Sequence, residues 1–205
     1  MDEPRSWWRD LRSLFDASDL KAHRDFYHLF VASLFLFSDK NAYLPHMLNF
    51  IQEMGLTRRE VAAYTVGMGV GSFLGPFLLN RLSDERGRKS VVLAALPVDC
   101  LGLLLMVASV VWLPAFLVGT ALAFFVMEGV GQVQETWSQD LVDAEAQGRF
   151  LGVMNVTSSL SKVPGGLLGA LVADVVGVWG IFLVAAAFGF CAIPAYRRVP
   201  ETVED

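Results

Sequence analysis

Two long apolar runs separated by a short charged turn are the feature that most limits what this chain can fold into. Residues 61–79 and 91–111 carry a single charged side chain between them, Asp99. An α-helix needs about 20 residues to cross the hydrocarbon core of a bilayer, and each run has that length. The turn between them, NRLSDERGRK at residues 80–89, contains four basic side chains. Because loops rich in Lys and Arg stay on the cytoplasmic side, the pattern predicts two transmembrane helices joined at that side.

The composition of the chain agrees with a membrane protein and argues against other classes. Of its 205 residues, 54% are hydrophobic and only 18% are charged, unlike an ordinary soluble domain. Cys100 and Cys191 both lie in apolar runs, so no disulfide framework is predicted. Asp39 and Asp99 could imitate the aspartates of an intramembrane protease, but no supporting motif surrounds them. Since metal-binding and nucleotide-binding motifs are also missing from the sequence, we expect no metal, cofactor, nucleic-acid partner or enzymatic activity.

Six apolar segments along the chain are predicted to span the membrane. They cover residues 26–51, 61–79, 90–111, 113–137, 150–172 and 175–196. The first is the least regular, because polar residues interrupt it at 38–41. It is either a re-entrant piece or one long helix with charges near its middle, and we expect the single helix. Thr57 and Glu60 have the spacing of a capping box at the start of the second helix.

The distribution of basic residues predicts the orientation. Lys and Arg concentrate before the first span, in the turn at 80–89 and after the last span, whereas the opposite side has only Arg58 and Arg59. Both termini are therefore expected to be cytoplasmic, in a multi-pass protein of the plasma membrane. The transmembrane unit would cover residues 25–197, and residues 198–205 would form a cytoplasmic tail.

Residues 1–24 are polar but have a helical pattern. Trp7, Leu11 and Leu14 recur at helical spacing, opposite several arginines. This pattern predicts an amphipathic helix that lies in the membrane interface on the cytoplasmic side. A disordered leader is the alternative. The predicted fold class is thus an all-α membrane protein with six transmembrane helices, preceded by an amphipathic helix.

The charged turn resembles the signature loop of the major facilitator superfamily, roughly G-x-L-(A/S)-D-R-x-G-R-(R/K). Asn80 stands where that family usually has glycine, and Glu85 and Arg86 vary the middle pair. The positions that match are Leu82, Ser83, Asp84, Gly87, Arg88 and Lys89. The loop at residues 140–149 and the ending at 197–202 also look like family segments. Because the leader resembles the linker between the two halves of these transporters, the chain is predicted to be the C-terminal half.

The resemblance implies a half bundle of six helices and a transport function. A full transporter of this family has twelve spans, and its two halves rock about a substrate held at mid-membrane. We therefore expect a secondary active transporter, or half of one, that moves a small solute by alternating access with proton coupling. Its expected partners are the small-molecule substrate, protons, the lipid bilayer and a second six-helix half or a second copy. A non-transporting scaffold or inactive fragment is the alternative, since one half alone encloses no pathway.

Four charged residues are predicted to lie at similar depth inside the membrane. A charge at the bilayer centre costs roughly 2.5–3.5 kcal/mol on insertion scales, so function is the default hypothesis. Counting a rise of about 1.5 Å per residue from the cytoplasmic ends places all four near the midplane. They are Asp39, Lys40, Glu128 and Lys162.

In the resembled family, the helices that carry these charges line the central cavity. Asp39 and Glu128 would then act as protonatable or substrate-facing carboxylates, with Lys40 and Lys162 as counter-charges. A static Glu–Lys pair that fastens helices together is the alternative. Asp99 is expected to be structural. The polar residues expected to supply hydrogen bonds are Asn41, Gln132, Asn155, Thr157, Ser158 and Ser161.

Two further groups of residues are predicted to act on the helices themselves. The resemblance implies that the turn forms a conformational latch through Asp84, Gly87, Arg88 and Lys89, with Gly87 permitting the sharp bend. Glycines at intervals of four in the second span predict close approach of another helix, although glycine is also simply common in membrane helices. These glycines are Gly67, Gly71 and Gly75.

Overall fold

The computed structural model describes residues 23–144 and 147–202, without the side chain of Arg149. Almost all of the predicted amphipathic leader, residues 1–24, lies outside the described residues. In the described part the chain forms helices and no strands, which confirms the predicted all-α class. The helices are α1 (Arg24–Tyr43), α2 (Met47–Glu53), α3 (Arg58–Arg86), α4 (Arg88–Ala108), α5 (Pro114–Asp140), α6 (Gln147–Leu160), α7 (Lys162–Val176) and α8 (Gly180–Tyr196).

Four helical segments are long and apolar enough to cross a bilayer. They are Arg58–Arg86, Arg88–Ala108, Pro114–Asp140 and Phe150–Val176, the last formed by most of α6 together with α7. The helix α8 is also apolar but has only 17 residues. The chain is therefore a multi-pass membrane protein, and four of the six predicted spans meet the criterion of length and composition.

The segment predicted as one long first helix is divided in two. A 3₁₀ turn at Leu44–His46 separates α1 from α2, with a proline in its first turn. Proline has no N–H group and its ring clashes with the carbonyl four residues earlier, so an α-helix cannot continue through Pro45 unchanged. Asp39 and Lys40 both remain within α1.

A slighter break lies between α6 and α7. Only Ser161 departs from the helix, and helical hydrogen bonds continue across it. The Ser161 amide donates to the Thr157 carbonyl at 3.0 Å, and the Gly165 amide donates to the Ser161 carbonyl at 3.0 Å. Pro164 lies in the first turn of α7, where its missing N–H costs no hydrogen bond within that helix.

The ends of α3 follow from local side-chain chemistry. Thr57 and Glu60 form the predicted capping box: the Thr57 amide donates to Glu60 Oε2 at 2.6 Å, and the Glu60 amide donates to Thr57 Oγ1 at 3.4 Å. At the other end, Gly87 has φ of +85°. A left-handed φ favours glycine, and here it allows α3 and α4 to be separated by this single residue.

Close backbone contact fixes α3 against α5. A Cβ atom added at Gly71 would lie 2.9 Å from the Phe125 amide nitrogen, and one added at Gly75 would lie 2.8 Å from the Phe125 carbonyl carbon. At Gly67 the same test gives 3.4 Å to the Leu117 carbonyl oxygen. The three glycines of the predicted stripe therefore face α5, with the tightest contacts at Gly71 and Gly75.

The buried side chains form two main clusters, one towards each end of the bundle. The cluster near the signature turn includes Leu96, Val133, Trp137 and Tyr196. The cluster at the other end is aromatic, with Tyr43, Phe50, Phe116, Phe124 and Phe182 among its members. Among the helices, α1 packs against α8 and α7, while α5 packs against α3 and α4. This arrangement leaves one face of α1, α5 and α6–α7 open.

Candidate functional site

An ion pair joins α1 and α5 on the open face of the bundle. Lys40 Nζ donates to Glu128 Oε1 at 2.7 Å. The two side chains are 27% and 36% exposed, so the pair lies at the surface of the bundle and is not enclosed by it. Glu128 is near the middle of α5, which is long and apolar enough to cross a membrane. The structure thus brings together two of the four charges that were predicted to lie at one depth.

Next to this pair, α7 approaches α1 through small residues. Asn41 Nδ2 donates to Ser161 Oγ at 3.0 Å, beside the break between α6 and α7. A Cβ atom added at Gly165 would lie 2.9 Å from Asn41 Cβ, so only glycine fits there without movement. Lys162, the second of the two predicted cations, is exposed and has no ion pair among the described residues. It follows Ser161 directly and therefore lies near Asn41.

A cavity of about 240 Å³ with polar lining residues lies between α1, α5 and α6. Along α5, it lies between Glu128 and the end of the helix at Asp140. Its lining residues are Phe37, Gly131, Gln134, Glu135, Ser138, Leu151, Met154, Asn155 and Ser158. Asn155 was predicted as a site residue and lines this cavity. Gln132, also predicted, is exposed on α5 and is not among the lining residues.

Gln134 is a site candidate that the sequence analysis missed. Its side chain is 1% exposed, and neither amide atom has a hydrogen-bond partner in the described part of the chain. Unpaired buried amides are costly, and they commonly mark places where a ligand or water binds. The available signal was a second glutamine in an apolar span, six residues after Glu128.

Asp39 lies away from the Lys40–Glu128 pair, inside the bundle. Its side chain is fully buried, as is that of Asp99 on α4, and a Cβ atom added at Gly189 on α8 would lie 3.2 Å from Asp39 Oδ2 and 3.6 Å from Asp99 Oδ2. Successive residues of an α-helix point about 100° apart, because 3.6 residues complete a turn. Neighbours in the sequence can therefore face different surroundings, and Lys40 reaches the open face while Asp39 does not.

The signature turn is bound to the end of the chain. Glu201 accepts hydrogen bonds from the backbone amides of Arg88 at 2.9 Å and Lys89 at 3.0 Å, at the N-terminus of α4. A carboxylate is favoured there because the first amides of a helix have no partner within the helix and carry partial positive charge. A Cβ atom added at Gly87 would lie 2.5 Å from Glu201 Oε2. A side chain at this position would therefore have to displace the Glu201 carboxylate from the α4 amides, in addition to adopting an unfavourable φ.

A second set of contacts fastens the turn to the end of α5. Arg88 Nη1 lies 2.5 Å from Asp140 Oδ2, an ion pair without hydrogen-bond geometry. The Thr202 hydroxyl donates to the same carboxylate at 3.3 Å, and Trp137 Nε1 donates to the Pro200 carbonyl at 3.2 Å. Of the predicted latch residues, Arg88, Lys89 and Gly87 take part in these contacts. Asp84 is exposed and forms no ion pair in the described residues.

Within residues 23–144 and 147–202, no group of three His, Cys, Asp or Glu side chains could hold a metal ion. The polar side chains of the open face form hydrogen bonds and one ion pair with each other.

Solved transporter structures share this fold. The structure of an auto-inhibited POT family peptide transporter matches 85% of the chain with a TM-score of 0.73 at 16% identity, and the chain covers 36% of that protein. The human organic anion transporter MFSD10 (TETRAN) matches 88% of the chain with a TM-score of 0.65 at 20% identity, and 48% of it is covered. At these identities the likeness shows the fold alone.

Sequence comparison identifies relatives that are also transporters. The multidrug transporter MdfA of Edwardsiella piscicida is 26% identical over 163 residues, which are 77% of this chain and 38% of MdfA. The chain thus spans about two fifths of the length of the curated relatives that it matches. The sequence model of the Major Facilitator Superfamily matches residues 29–205. Because that match covers most of the chain and agrees with the signature turn and the fold, the chain belongs to the Major Facilitator Superfamily.

Proposed function

We propose that this chain is one half of a secondary active transporter that moves a small solute across the membrane by alternating access, with proton coupling. The observation that carries the proposal is the Lys40–Glu128 ion pair, which lies on the open face near the middle of α5 with an N–O distance of 2.7 Å. Because α5 is long and apolar enough to cross a bilayer, we expect the pair to lie at mid-membrane. Charged groups at this depth are expensive and commonly mark the path of a substrate or proton. A pair that only fastened α1 to α5 would need no access from the open face, whereas this pair is about one-third exposed.

The ion pair offers a simple means of coupling. Proton uptake by Glu128 would neutralise its carboxylate and release the Lys40 ammonium group. Removal of the proton would restore the pair. A solute that interacts with one of these states better than the other would shift the balance between the two orientations of the half, which is what alternating access requires.

The remaining polar groups of the open face would bind the solute. Lys162 supplies a cation without an ion-pair partner in the described chain, and Asn41 lies beside it. Asn155 lines the cavity of about 240 Å³, and Gln132 is exposed on the same helix as Glu128. The relatives are named for multidrug, peptide and organic-anion transport, so we propose a small solute without a narrower class.

The signature turn would act as the latch at the cytoplasmic end. Arg88 and Lys89 are held by Glu201 and Asp140, through contacts that involve exposed carboxylates. The Arg88 side chain is only 9% exposed, but its partner Asp140 reaches solvent, and we expect a transport cycle to break and remake contacts of this kind. Asp84, an exposed residue of the turn, would be free to contact the partner half.

We also propose that a second six-helix half completes the transporter, either a different chain or a second copy. The open face bearing Lys40, Glu128 and Lys162 cannot favourably face lipid, so it would face that partner. The concentration of basic residues before the first span, in the turn and after the last span supports cytoplasmic termini in the plasma membrane.

Two measurements test this proposal. The first is the mass of the chain purified in mild detergent, by light scattering, together with identification of co-purifying chains. A dimer or a stoichiometric partner half is expected. A lone monomer would favour a scaffold or inactive fragment.

The second measurement is ethidium efflux driven by a proton gradient in membranes that contain the assembled transporter. Glu128→Gln should abolish proton-driven efflux. Glu53→Gln, which changes an exposed glutamate at the end of α2, should leave it unchanged. Equal efflux by both variants would remove Glu128 from the coupling mechanism.

A further inference from the structure

The cavity of about 240 Å³ between α1, α5 and α6 has one charged side chain in its lining. Of the described residues that line it, Glu135 alone carries a charge, and it forms no ion pair within the described part of the chain. Glu135, Asn155 and Ser158 are all exposed, so a solute on the open face can reach them. A positively charged or hydrogen-bond-donating group would therefore be stabilised in this cavity.

Gln134 is a second and independent sign of a ligand in the same cavity. It lines the cavity, its side chain is 1% exposed, and both of its amide atoms lack a hydrogen-bond partner in the described residues. Leaving such an amide unpaired is costly. A rotation of the side chain would bring the amide into the cavity that Gln134 lines, where a ligand would supply the missing partners.

The polar groups of the cavity accept more hydrogen bonds than they can donate. The Ser138 hydroxyl already donates to the Glu135 carbonyl at 2.7 Å, so its oxygen can only accept from a ligand. An ionised carboxylate such as that of Glu135 accepts and does not donate. The amides of Gln134 and Asn155 add one acceptor oxygen each, beside their N–H groups. A ligand group that mainly donates hydrogen bonds would therefore satisfy this lining best.

The cations of the open face lie beyond one end of this cavity. Lys40 has its ammonium group on Glu128 and is not a lining residue. Lys162 is one helical turn after Ser158, towards the level of Glu128, and it is also outside the lining. An anionic group of a solute would be drawn to Lys162 and repelled by Glu135. The two ends of the polar face therefore differ in the charge that they would attract.

We propose that this cavity binds a planar nitrogen head group of the solute, of the amidinium or guanidinium class. Two parallel N–H groups would donate to the Glu135 carboxylate, which is the strong, charge-assisted arrangement. A further N–H would donate to the Gln134 amide oxygen. A neutral carboxamide fits the same space with a weaker interaction, whereas a carboxylate is repelled and leaves the acceptors unpaired. This assignment rests on the proposed transport function and narrows the class of its solute.

Three probes of nearly the same shape and different charge test the proposal: benzamidine, benzamide and benzoate. Their binding to the purified chain in lipid nanodiscs is measured by saturation-transfer NMR titration, with empty nanodiscs subtracted. We expect benzamidine to bind most tightly, benzamide next and benzoate least, with benzamidine about tenfold tighter than benzoate. Binding of none of the probes, or tightest binding of benzoate with a loss in Lys162→Gln, would overturn the proposal.

Variants of the two central residues assign the binding to this cavity. Glu135→Gln should remove most of the difference between benzamidine and benzamide, because the charge that separates them is gone. Gln134→Leu should weaken both probes and keep the difference between them. Glu53→Gln and Gln132→Leu make the same chemical changes at exposed positions outside the lining and should leave all affinities unchanged. An order of affinities that Glu135→Gln does not alter would contradict the assignment.

The binding measurement needs no proton gradient and no partner half, so its outcome is separate from that of the efflux measurement. The expected order of affinities in a chain that fails to drive efflux would keep the site and remove the transport function. Proton-driven efflux without that order of affinities would keep the transporter and overturn this assignment of its solute.

Discussion

At the scale of single residues, the unpaired amide of Gln134 leads to a prediction about stability. Its side chain is 1% exposed and both amide atoms lack protein partners in the described chain. A buried polar group without partners costs about 1–3 kcal/mol, whereas an apolar group of similar size avoids that cost. Gln134→Leu should therefore raise the unfolding temperature in detergent, with a gain of about 1 kcal/mol in the free energy of unfolding.

Gln132→Leu is the matched control for this change. Gln132 is exposed on the same helix, so its replacement should alter stability little. If Gln134→Leu lowered the unfolding temperature, the amide would be shown to make hydrogen bonds through water in the adjacent cavity. Transport should fall in the Gln134→Leu variant whichever way stability moves, if this amide contacts the solute.

Sequence reasoning placed some of the site residues together and could not place others. Counting residues along the spans gives depth, and depth was enough to suggest that Lys40 and Glu128 lie at one level. It does not give the rotation of a helix about its own axis. Asp39 and Lys40 have nearly the same depth but point in different directions, so only the structure shows that Asp39 is buried near Asp99 and Gly189 while Lys40 binds Glu128.

At the scale of elements, the contact between α3 and α5 predicts a sharp difference between two glycines of one helix. A Cβ atom at Gly75 would meet the backbone of Phe125, with the carbonyl carbon 2.8 Å away, whereas one at Gly69 would have no atom within 4 Å. Gly75→Ala should force the helices apart and destabilise the fold by about 1–3 kcal/mol. Thermal unfolding in detergent measures the effect.

Gly69→Ala provides the control, because it makes the same chemical change in the same helix. Alanine has the better helix propensity by about 1 kcal/mol, so this variant should be as stable as the wild type or more stable. Equal loss of stability in both variants would mean that helix packing does not explain the sensitivity of Gly75.

The docked end of the chain gives a second prediction at this scale. Glu201 accepts hydrogen bonds from the first amides of α4, so its charge is stabilised by the helix end. Glu201→Gln should cost about 0.3–1 kcal/mol of stability, because it removes the charge and one acceptor oxygen. Glu53→Gln should cost nothing measurable. A Glu201→Gln variant as stable as the wild type would show that the tail contributes little to holding the turn.

The helices themselves show what apolar patterns predict well. Long uninterrupted runs predicted where α3, α4 and α5 lie along the chain, because hydrocarbon length and helical rise are fixed quantities. They did not predict the end of α3, which continues to Arg86 through most of the stretch predicted as a turn. The first segment was harder to predict, because the helix is divided at Pro45 and not at the polar interruption that precedes it. The hydrogen bond between Glu201 and the Arg88 amide joins residues 113 positions apart, and a local sequence pattern cannot predict a contact at such a separation.

At the scale of the whole molecule, the open polar face is expected to line a water-filled cavity once the second half is in place. Ser158 lies on that face and lines the cavity next to Asn155. Phe77 lies on α3 and is 64% exposed, but its surroundings are apolar, with Phe73 and Leu74 close by on the same helix. Both positions are exposed in this chain. In a membrane, Ser158 would contact water and Phe77 would contact lipid.

Cysteine labelling in membranes distinguishes these environments. In a background with Cys100 and Cys191 changed to serine, Ser158→Cys should react readily with a charged, water-soluble thiol reagent. Phe77→Cys should react slowly, because the reactive thiolate is disfavoured in apolar surroundings and the reagent does not enter them. If alternating access holds, the rate at Ser158→Cys should also change when a proton gradient is imposed. Equal, gradient-independent rates at the two positions would contradict an aqueous pathway along this face and would favour a scaffold that carries no solute.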